Sequence, residues 1–246
     1  MTKHSLIYER PMPLSKERHA SWSVKQGDDY GFSRDVNAVP LTIVEFAIAA
    51  REYPIVFARS GEQYSASALL GLRSDENLFL DDAGKWLGSY VPAFLRRYPF
   101  VFSHDAESET YTLCIDEGSV LSGGEVDGER LYDDTGGESP YLKRMIGFTK
   151  SWQKAFQETQ AFCRRLDELG LITDSEVSFN QPDGHRAKTS GFGSVDRERL
   201  KSLGAKALTR LMQSGDLELI YAHLLSHRSL DNLLHLLPDE EAQLLH

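Results

Sequence analysis

The chain has 246 residues, of which 41% are hydrophobic and 26% charged, and this composition is typical of a globular protein. A formal net charge of −10 argues against binding to nucleic-acid phosphates, because such binding requires a concentrated cationic face. No stretch approaches the roughly 18 apolar residues of a membrane-spanning helix, and we therefore expect no membrane span.

The two cysteines, Cys114 and Cys163, are too few for a disulfide framework or for a zinc site built from cysteines. Both fall in segments with regular apolar patterns, and we expect them to be small buried side chains. Residues 1–5 do not lead into an apolar segment of signal-peptide length. We therefore expect a protein of the reducing cytoplasm, and no motif indicates a cofactor.

A seven-residue sequence recurs 45 positions later in the chain. Residues 51–57 read REYPIVF and residues 96–102 read RRYPFVF, so five of the seven positions are identical. Each copy follows an apolar segment with helical spacing and precedes a turn and a second apolar segment. We interpret the copies as two helix–strand–strand units that pack as a pseudo-symmetric pair.

The first copy begins with a predicted helix. Residues 41–51 place apolar side chains on one broad face, and this helix should end before Pro54, because the residue preceding a proline avoids helical geometry. Residues 55–57 are predicted to form a buried strand. A second strand over residues 64–72 and a third over residues 77–80 should follow.

The second copy repeats this order. Residues 90–95 have helical apolar spacing, with Pro92 in the first turn and Pro99 beyond the end. Residues 100–102 and 111–115 are predicted strands on either side of a polar turn. Because a hairpin follows each predicted helix, we expect the sheet to be largely antiparallel.

Residues 122–139 form an acidic, glycine-rich segment that we expect to be a long loop. This loop separates a sheet-containing region, residues 1–121, from a helical region, residues 140–246. We expect the helical region to pack on the sheet, so that the two regions form one compact domain.

Pro140 opens the longest predicted helix, residues 140–169, with Ser139 as its cap and Gly170 as its terminator. About 30 residues reach roughly 45 Å. The helix therefore either lies across the whole molecule or projects to meet a partner, and it can join two copies in a homodimer. Apolar periodicity over residues 196–237 predicts a cluster of shorter helices.

These patterns predict an α+β fold. An antiparallel sheet is built around the two pseudo-repeats, and the long helix and the C-terminal helical cluster cover one side of it. We expect Phe57 and Phe102, the last residues of the two repeats, to be buried. If both are, replacing either by alanine should cost about 3–5 kcal/mol of stability.

Several motifs together resemble one bacterial family. They are NAVPL at residues 37–41 with Glu45 and Phe46 after it, YPIVF at 53–57, YPF at 98–100 and LIYAHL at 219–224. Their order and sequence are similar to the SapC family, which takes its name from surface-layer gene clusters. The resemblance implies a bacterial protein linked to surface-layer or envelope-uptake genes, and it transfers no site residue.

Two histidines are weak candidates for a metal site. His223 and His227 are four residues apart on a predicted helix, so both can reach one metal ion. The segment lacks the general-base glutamate of a metalloprotease, and a third ligand such as His235 would be needed. We favour the alternative, in which His223 is a hydrogen-bonded core residue and His227 stabilises the helix C-terminus, and we expect no metal.

Arginines near the repeats are the main candidates for ligand binding. As repeat mates, Arg51 and Arg96 can together hold a carboxylate or phosphate, although salt bridges to Glu45, Glu52 or another acid are an alternative that we favour. Aromatic residues lie nearby in the sequence, and aromatic side chains with arginines are typical of recognition surfaces. The candidate partner-binding residues are Arg51, Tyr53, Trp86, Tyr90, Arg96 and Arg97.

The chain contains no nucleophile-elbow motif, no dinucleotide-binding fingerprint and no phosphate-binding loop with lysine. We therefore expect a non-catalytic binding or accessory protein that engages a peptide or protein partner in a bacterial envelope or surface-layer system. The alternative is an enzyme that acts on a peptide or a small acidic metabolite in a pocket lined by Arg51, Arg96 and a histidine. A deep pocket that holds a titratable group with a shifted pKa would favour the enzyme.

Overall fold

The computed structural model describes residues 6–61, 63–105, 108–119, 121–180 and 186–237. Within these ranges the strands are β1 (Pro11–Pro13), β2 (Ser23–Val24), β3 (Ala38–Pro40), β4 (Ile55–Ser60), β5 (Gln63–Leu69), β6 (Phe100–Asp105), β7 (Thr110–Asp116), β8 (Ser122–Gly123), β9 (Glu129–Arg130), β10 (Ile172–Asn180) and β11 (Arg186–Val195). The α-helices are α1 (Lys16–His19), α2 (Phe46–Ala49), α3 (Ala93–Arg96), α4 (Pro140–Glu168), α5 (Arg197–Ser202), α6 (Ala205–Ser214), α7 (Asp216–Ser226) and α8 (Leu230–His235). Short 3-10 helices span Gly31–Ser33, Ile43–Glu45 and His227–Ser229.

The first repeat forms a helix followed by a hairpin, as predicted. A 3-10 turn runs directly into α2, the chain turns at Pro54, and β4 and β5 then pair antiparallel with Phe57 opposite Ala66. This hairpin lies inside a five-stranded sheet of order β10-β11-β4-β5-β3. Phe57 is fully buried there, as expected of a central strand.

The second repeat also forms a helix followed by a hairpin. It comprises α3, β6 and β7, and the hairpin lies in a separate three-stranded sheet of order β1-β7-β6. The predicted α+β fold with antiparallel pairing is thus confirmed. We expected one sheet to contain both repeats, but each repeat lies in a sheet of its own. Strand pairing between the copies is a long-range property, and the identical local sequences do not determine it.

Residues 77–80 do not form the predicted third strand: residues 78 and 79 are in a turn, and Leu80 makes an isolated β-bridge with Trp86. The side chain of Asn77 accepts a hydrogen bond from the Phe79 amide at 3.0 Å and donates one to the Ser33 carbonyl at 3.1 Å. Asparagine side chains that bond to nearby backbone compete with sheet pairing in this way. The segment therefore folds back on itself instead of adding a strand.

The long helix α4 has 29 residues and lies across the protein. Its cap is the predicted one, since the Ser139 hydroxyl accepts from the Leu142 amide at 3.0 Å. Near its start, Leu142 is buried in a small core with Phe100, and further along Trp152 and Phe162 are buried in the main core. The helix therefore connects both cores, and a homodimer through its exposed face stays a hypothesis for light scattering to test.

The C-terminal helices α5–α8 form the predicted cluster, which is attached to the first repeat by polar contacts. The Ser226 hydroxyl accepts from the Ile55 amide at 2.9 Å, and the Ser229 hydroxyl donates to the Ala50 carbonyl at the same distance. These bonds satisfy backbone groups at the ends of α2 and β4 that would otherwise be unpaired.

The acidic segment 122–139 contains two short strands, β8 and β9, which pair with β2 on either side. Gly128 permits this pairing, because a Cβ atom at that position would lie 2.2 Å from the Val24 carbonyl oxygen. The segment is therefore more ordered than the loop that we predicted.

Both cysteines are buried and unpaired, as predicted. Among the helices in the described ranges, none is both long enough and apolar enough to cross a bilayer.

Candidate functional site

Two of the predicted binding residues, Tyr53 and Trp86, are part of the core. The Trp86 indole donates to the Tyr53 hydroxyl at 3.1 Å, and that hydroxyl donates to the Tyr90 carbonyl. Burial raises the pKa of Tyr53. Both side chains therefore stabilise the loop before α3 and present no surface to a partner.

The repeat mates Arg51 and Arg96 line different grooves. Arg51 lies beside α7, near Glu218 and Leu225. The guanidinium of Arg96 lies over the ring of Tyr90, with 5.5 Å between the guanidinium carbon and the ring centroid, and it donates to the Val91 carbonyl at 3.0 Å. The proposed joint clamp is not formed, and neither arginine makes an ion pair with a described acid.

The remaining candidate, Arg97, is a buried cation. Only 2% of its surface is exposed, and no carboxylate of the described chain lies within ion-pair distance of it. Its guanidinium carbon lies 3.8 Å from the ring centroid of Trp152, 4.6 Å from that of Phe94 and 5.8 Å from that of Tyr8. Burial lowers the pKa of Arg97, because a low dielectric disfavours its charged form.

Arg97 lines a cavity of about 280 Å³ between β6, β7 and α4. Its lining residues are Leu6, Pro40, Phe94, Arg97, Phe102, His104, Tyr111, Trp152, Gln153, Phe156 and Gln160. We call this space the Arg97 cavity. Its inner part is aromatic, while the exposed side chains of Leu6 and Tyr111 lie at its edge.

Three buried side-chain nitrogens have no hydrogen-bond partner in the described part of the chain: Nε of Arg97, Nε2 of His104 and Nε1 of Trp152. All three residues line the Arg97 cavity. Unpaired buried polar atoms are rare in folded proteins, and three around one cavity mark it as the place where a partner atom is missing.

The imidazole of His104 forms one wall of the cavity with Tyr111, and the centroids of the two rings are 4.6 Å apart. Its Nε2 atom is 3.5 Å from a carboxylate oxygen of Glu109, without the geometry of a hydrogen bond. The Tyr111 hydroxyl in turn accepts from the Gln157 side chain at 2.8 Å. The wall is thus held in place from α4 while the His104 nitrogen stays available.

The sequence indicated Arg97 but not its neighbours. The polar turn predicted between residues 102 and 111 includes His104, whereas His104 lies in β6. Two periodicities carry the signal that was missed. Trp152, Phe156 and Gln160 recur every four residues on α4, and Phe102 and His104 alternate on β6, so each set faces one side.

The metal candidate His223 is a core histidine. Its Nδ1 atom donates to the Ile55 carbonyl at 2.9 Å, and its Nε2 atom accepts from the Val195 amide at 3.0 Å. Both ring nitrogens are therefore occupied and neither can bind a metal. No cluster of three or more metal-ligating side chains exists among the residues that the structure describes.

Burial, together with the neighbouring His227, lowers the pKa of His223 to about 3. The folded protein thus binds fewer protons than the unfolded chain below about pH 6.5, and stability falls as the pH falls. Between pH 6 and pH 4.5 we expect His223 to account for a loss of about 2 kcal/mol in the free energy of unfolding. Urea unfolding at several pH values measures this loss.

The variant His223→Gln should show a flatter dependence of stability on pH over that interval. The exposed His235, changed to glutamine, is the matched control and should leave the dependence as in the unmodified protein. Parallel curves for the unmodified protein and His223→Gln would contradict the assignment.

A family model described as SapC matches residues 14–233 of the chain. The matched range contains both helix–hairpin units, α4 and, apart from Leu6, every residue that lines the Arg97 cavity. No curated protein matches the chain, and no solved structure matches it. Because the SapC family model covers most of the chain, the chain belongs to the SapC family.

Proposed function

We propose that this SapC-family chain is a non-catalytic binding protein that receives an anionic group of a peptide or protein partner in the Arg97 cavity. It would act in the cytoplasm as an accessory to a bacterial envelope or surface-layer system. The observation that carries the proposal is the buried guanidinium of Arg97, which has no carboxylate within ion-pair distance among the residues that the structure describes.

Burying a charged group without a counter-ion costs several kcal/mol. Ring contacts with Trp152, Phe94 and Tyr8 offset part of this cost, at about 2 kcal/mol or more for a desolvated contact. Each unpaired buried donor adds a penalty of about 1–3 kcal/mol. An anion in the cavity would supply both the missing charge and the missing acceptors.

The surroundings of the cavity suit a peptide or protein partner. Trp152 lines both the Arg97 cavity and a neighbouring groove that holds Tyr90 and Arg96. Val44, at the same groove, is 72% exposed, which is unusual for an aliphatic side chain beside other apolar groups. Arginine and aromatic anchors next to an apolar groove are typical of the centre of a protein interface.

The enzyme alternative has less support. The grooves that contain Arg51 and Arg96 hold no histidine among their described lining residues. The Arg97 cavity contains one histidine, His104, but it is lined by no described serine, threonine, cysteine or lysine that could act as a nucleophile and by no described carboxylate. Arg97 has a shifted pKa, but arginine keeps its proton in proteins and is not an acid–base catalyst. Binding is therefore the better-supported function.

A capture experiment from the native host, at native expression level, tests the proposal. The baits are the unmodified protein, Arg97→Met and Arg164→Met, and mass spectrometry identifies retained proteins, peptides and small molecules. We expect a set of envelope-related partners on the unmodified bait and on Arg164→Met that is reduced at least tenfold on Arg97→Met.

Arg164→Met is the matched control, because it removes an exposed arginine of α4 that lines neither the cavity nor the neighbouring groove. Identical sets on all three baits would show that Arg97 plays no part in recognition. Turnover of a small metabolite by the purified protein would replace the binding function with the enzymatic one.

A further inference from the structure

We infer that the group bound in the Arg97 cavity is a monocarboxylate attached to an aromatic ring, either as a free acid or as the C-terminal residue of a peptide. The inference rests on the proposed function and specifies its ligand. It follows from the charge of the cavity, from the arrangement of its donors and from its walls.

The charge of the cavity fits an anion with a single negative charge. Arg97 is the one permanent cation among the described lining residues, and no lysine accompanies it. A phosphate group carries close to two negative charges at neutral pH and would remain half-compensated inside a buried, low-dielectric site. The net charge of −10 on the whole chain also opposes the entry of a dianion.

The available donors match a planar group with two oxygen atoms. A guanidinium offers N–H groups in a flat fork whose spacing fits a carboxylate. The indole N–H of Trp152, whose ring lies 3.8 Å from the Arg97 guanidinium carbon, supplies a further donor close by. Together they can satisfy a carboxylate without a nest of backbone amides, which phosphate sites generally use.

The walls of the cavity fit an aromatic substituent. Trp152 and Phe156 are stacked, with ring centroids 4.9 Å apart and planes inclined by 12°, and Phe102 lies opposite in β6. A volume of about 280 Å³ is near the lower limit for small-molecule sites, which indicates one ring and its acid group. The exposed Leu6 and Tyr111 leave the edge open to the preceding residues of such a peptide.

Isothermal titration calorimetry with the full chain tests the inference. The probes are 3-phenylpropionate, a hexapeptide that ends in phenylalanine with a free carboxylate, the same peptide as its C-terminal amide, and phenyl phosphate. We expect the two carboxylates to bind, the amide to bind at least 30-fold more weakly than its acid, and phenyl phosphate to bind at least tenfold more weakly than 3-phenylpropionate. The affinities of the two carboxylates identify the source of the group. Tighter binding of the peptide acid indicates the C-terminus of a partner, and tighter binding of 3-phenylpropionate indicates a free acid.

Variants locate the binding. Arg97→Met should weaken binding of the preferred carboxylate about 100-fold, because it removes the cation from a desolvated pair. Trp152→Phe, which keeps a ring and removes the N–H, should weaken it about tenfold. Arg164→Met, which removes an exposed arginine outside the cavity, should bind as the unmodified protein does. If Arg97→Met does not fold, the four probes and Trp152→Phe decide the matter without it.

The possible failures are distinct. If phenyl phosphate binds more tightly than the carboxylates and Arg97→Met abolishes this binding, the ligand is not a carboxylate. The proposed function is unaffected by that result. Equal binding of the acid and the amide peptide overturns the inference as well. The highest probe concentration is roughly 10 mM, which still detects very weak specific binding. If no probe binds at that concentration while host partners are still captured through Arg97, only the inference fails. If capture is also independent of Arg97, the proposed function fails with it.

Discussion

Replacing Glu45 by alanine should lower the free energy of unfolding by about 3–5 kcal/mol. The Glu45 carboxylate is buried, and it accepts hydrogen bonds from the Thr42 amide at 3.0 Å, the Tyr90 hydroxyl at 2.8 Å and the Ala93 amide at 2.7 Å. Alanine would leave these donors without a partner, at about 1–3 kcal/mol for each buried group. Because Glu45 precedes α2 and Ala93 begins α3, the same change would also loosen the connection between the two repeats.

Glu52→Ala is the matched control for Glu45→Ala. The Glu52 carboxylate accepts from the Ser89 amide at 2.9 Å and from the Tyr90 amide at 3.3 Å, so it too joins the first repeat to the loop before α3. Water can replace it there, because Ser89 is exposed, and the expected cost is below about 1 kcal/mol. Urea unfolding of both variants measures the difference. Similar costs would show that the connection does not depend on a buried carboxylate.

The helix–hairpin units could be predicted because their signals are local. Pro54 and Pro99 end the helices through sterics within one or two residues, and the strands that follow have apolar sequences. The cap at Ser139 and the terminator Gly170 define α4 for the same reason. The partition into two sheets could not be predicted in this way, since it depends on which distant strands flank each hairpin.

The Arg97 cavity was only partly predictable, because burial of a charged side chain is decided by distant contacts. Nothing in the sequence around Arg96 and Arg97 shows which of the two points inward. Trp152, 55 positions after Arg97, provides the ring surface that receives the guanidinium. The sequence therefore indicates Arg97 only as a candidate for ligand binding. Its place in a cavity depends on the packing of α4.

The two repeats differ in charge at the position of Arg97. At the second repeat position the first copy has Glu52 and the second copy has Arg97, which is a reversal of charge. Glu52 bonds to the loop before α3, whereas Arg97 turns toward α4 and lines the cavity. The first copy thus has a structural role at this position, and the second supplies the cation of the proposed binding site.

The same divergence predicts unequal effects at the last repeat position. Phe57 is fully buried between Phe162 and His223, with ring centroids 6.4 Å and 4.8 Å away, and Phe57→Ala should cost about 3–5 kcal/mol. Phe102 is 7% exposed and lines the Arg97 cavity. Because the space left by Phe102→Ala joins a cavity that is open to water, we now expect the smaller cost of about 1–2 kcal/mol there.

Urea unfolding gives the two stability costs, and titration with 3-phenylpropionate gives the second readout. Phe102→Ala should weaken binding of this acid several-fold because it removes a wall of the cavity, while Phe57→Ala, measured where it is still folded, should not. Equal costs at both positions would mean that the repeats are equivalent building blocks and that the cavity is a packing defect. A smaller cost with weaker binding at Phe102 would mean that the second repeat has exchanged part of its contribution to stability for recognition.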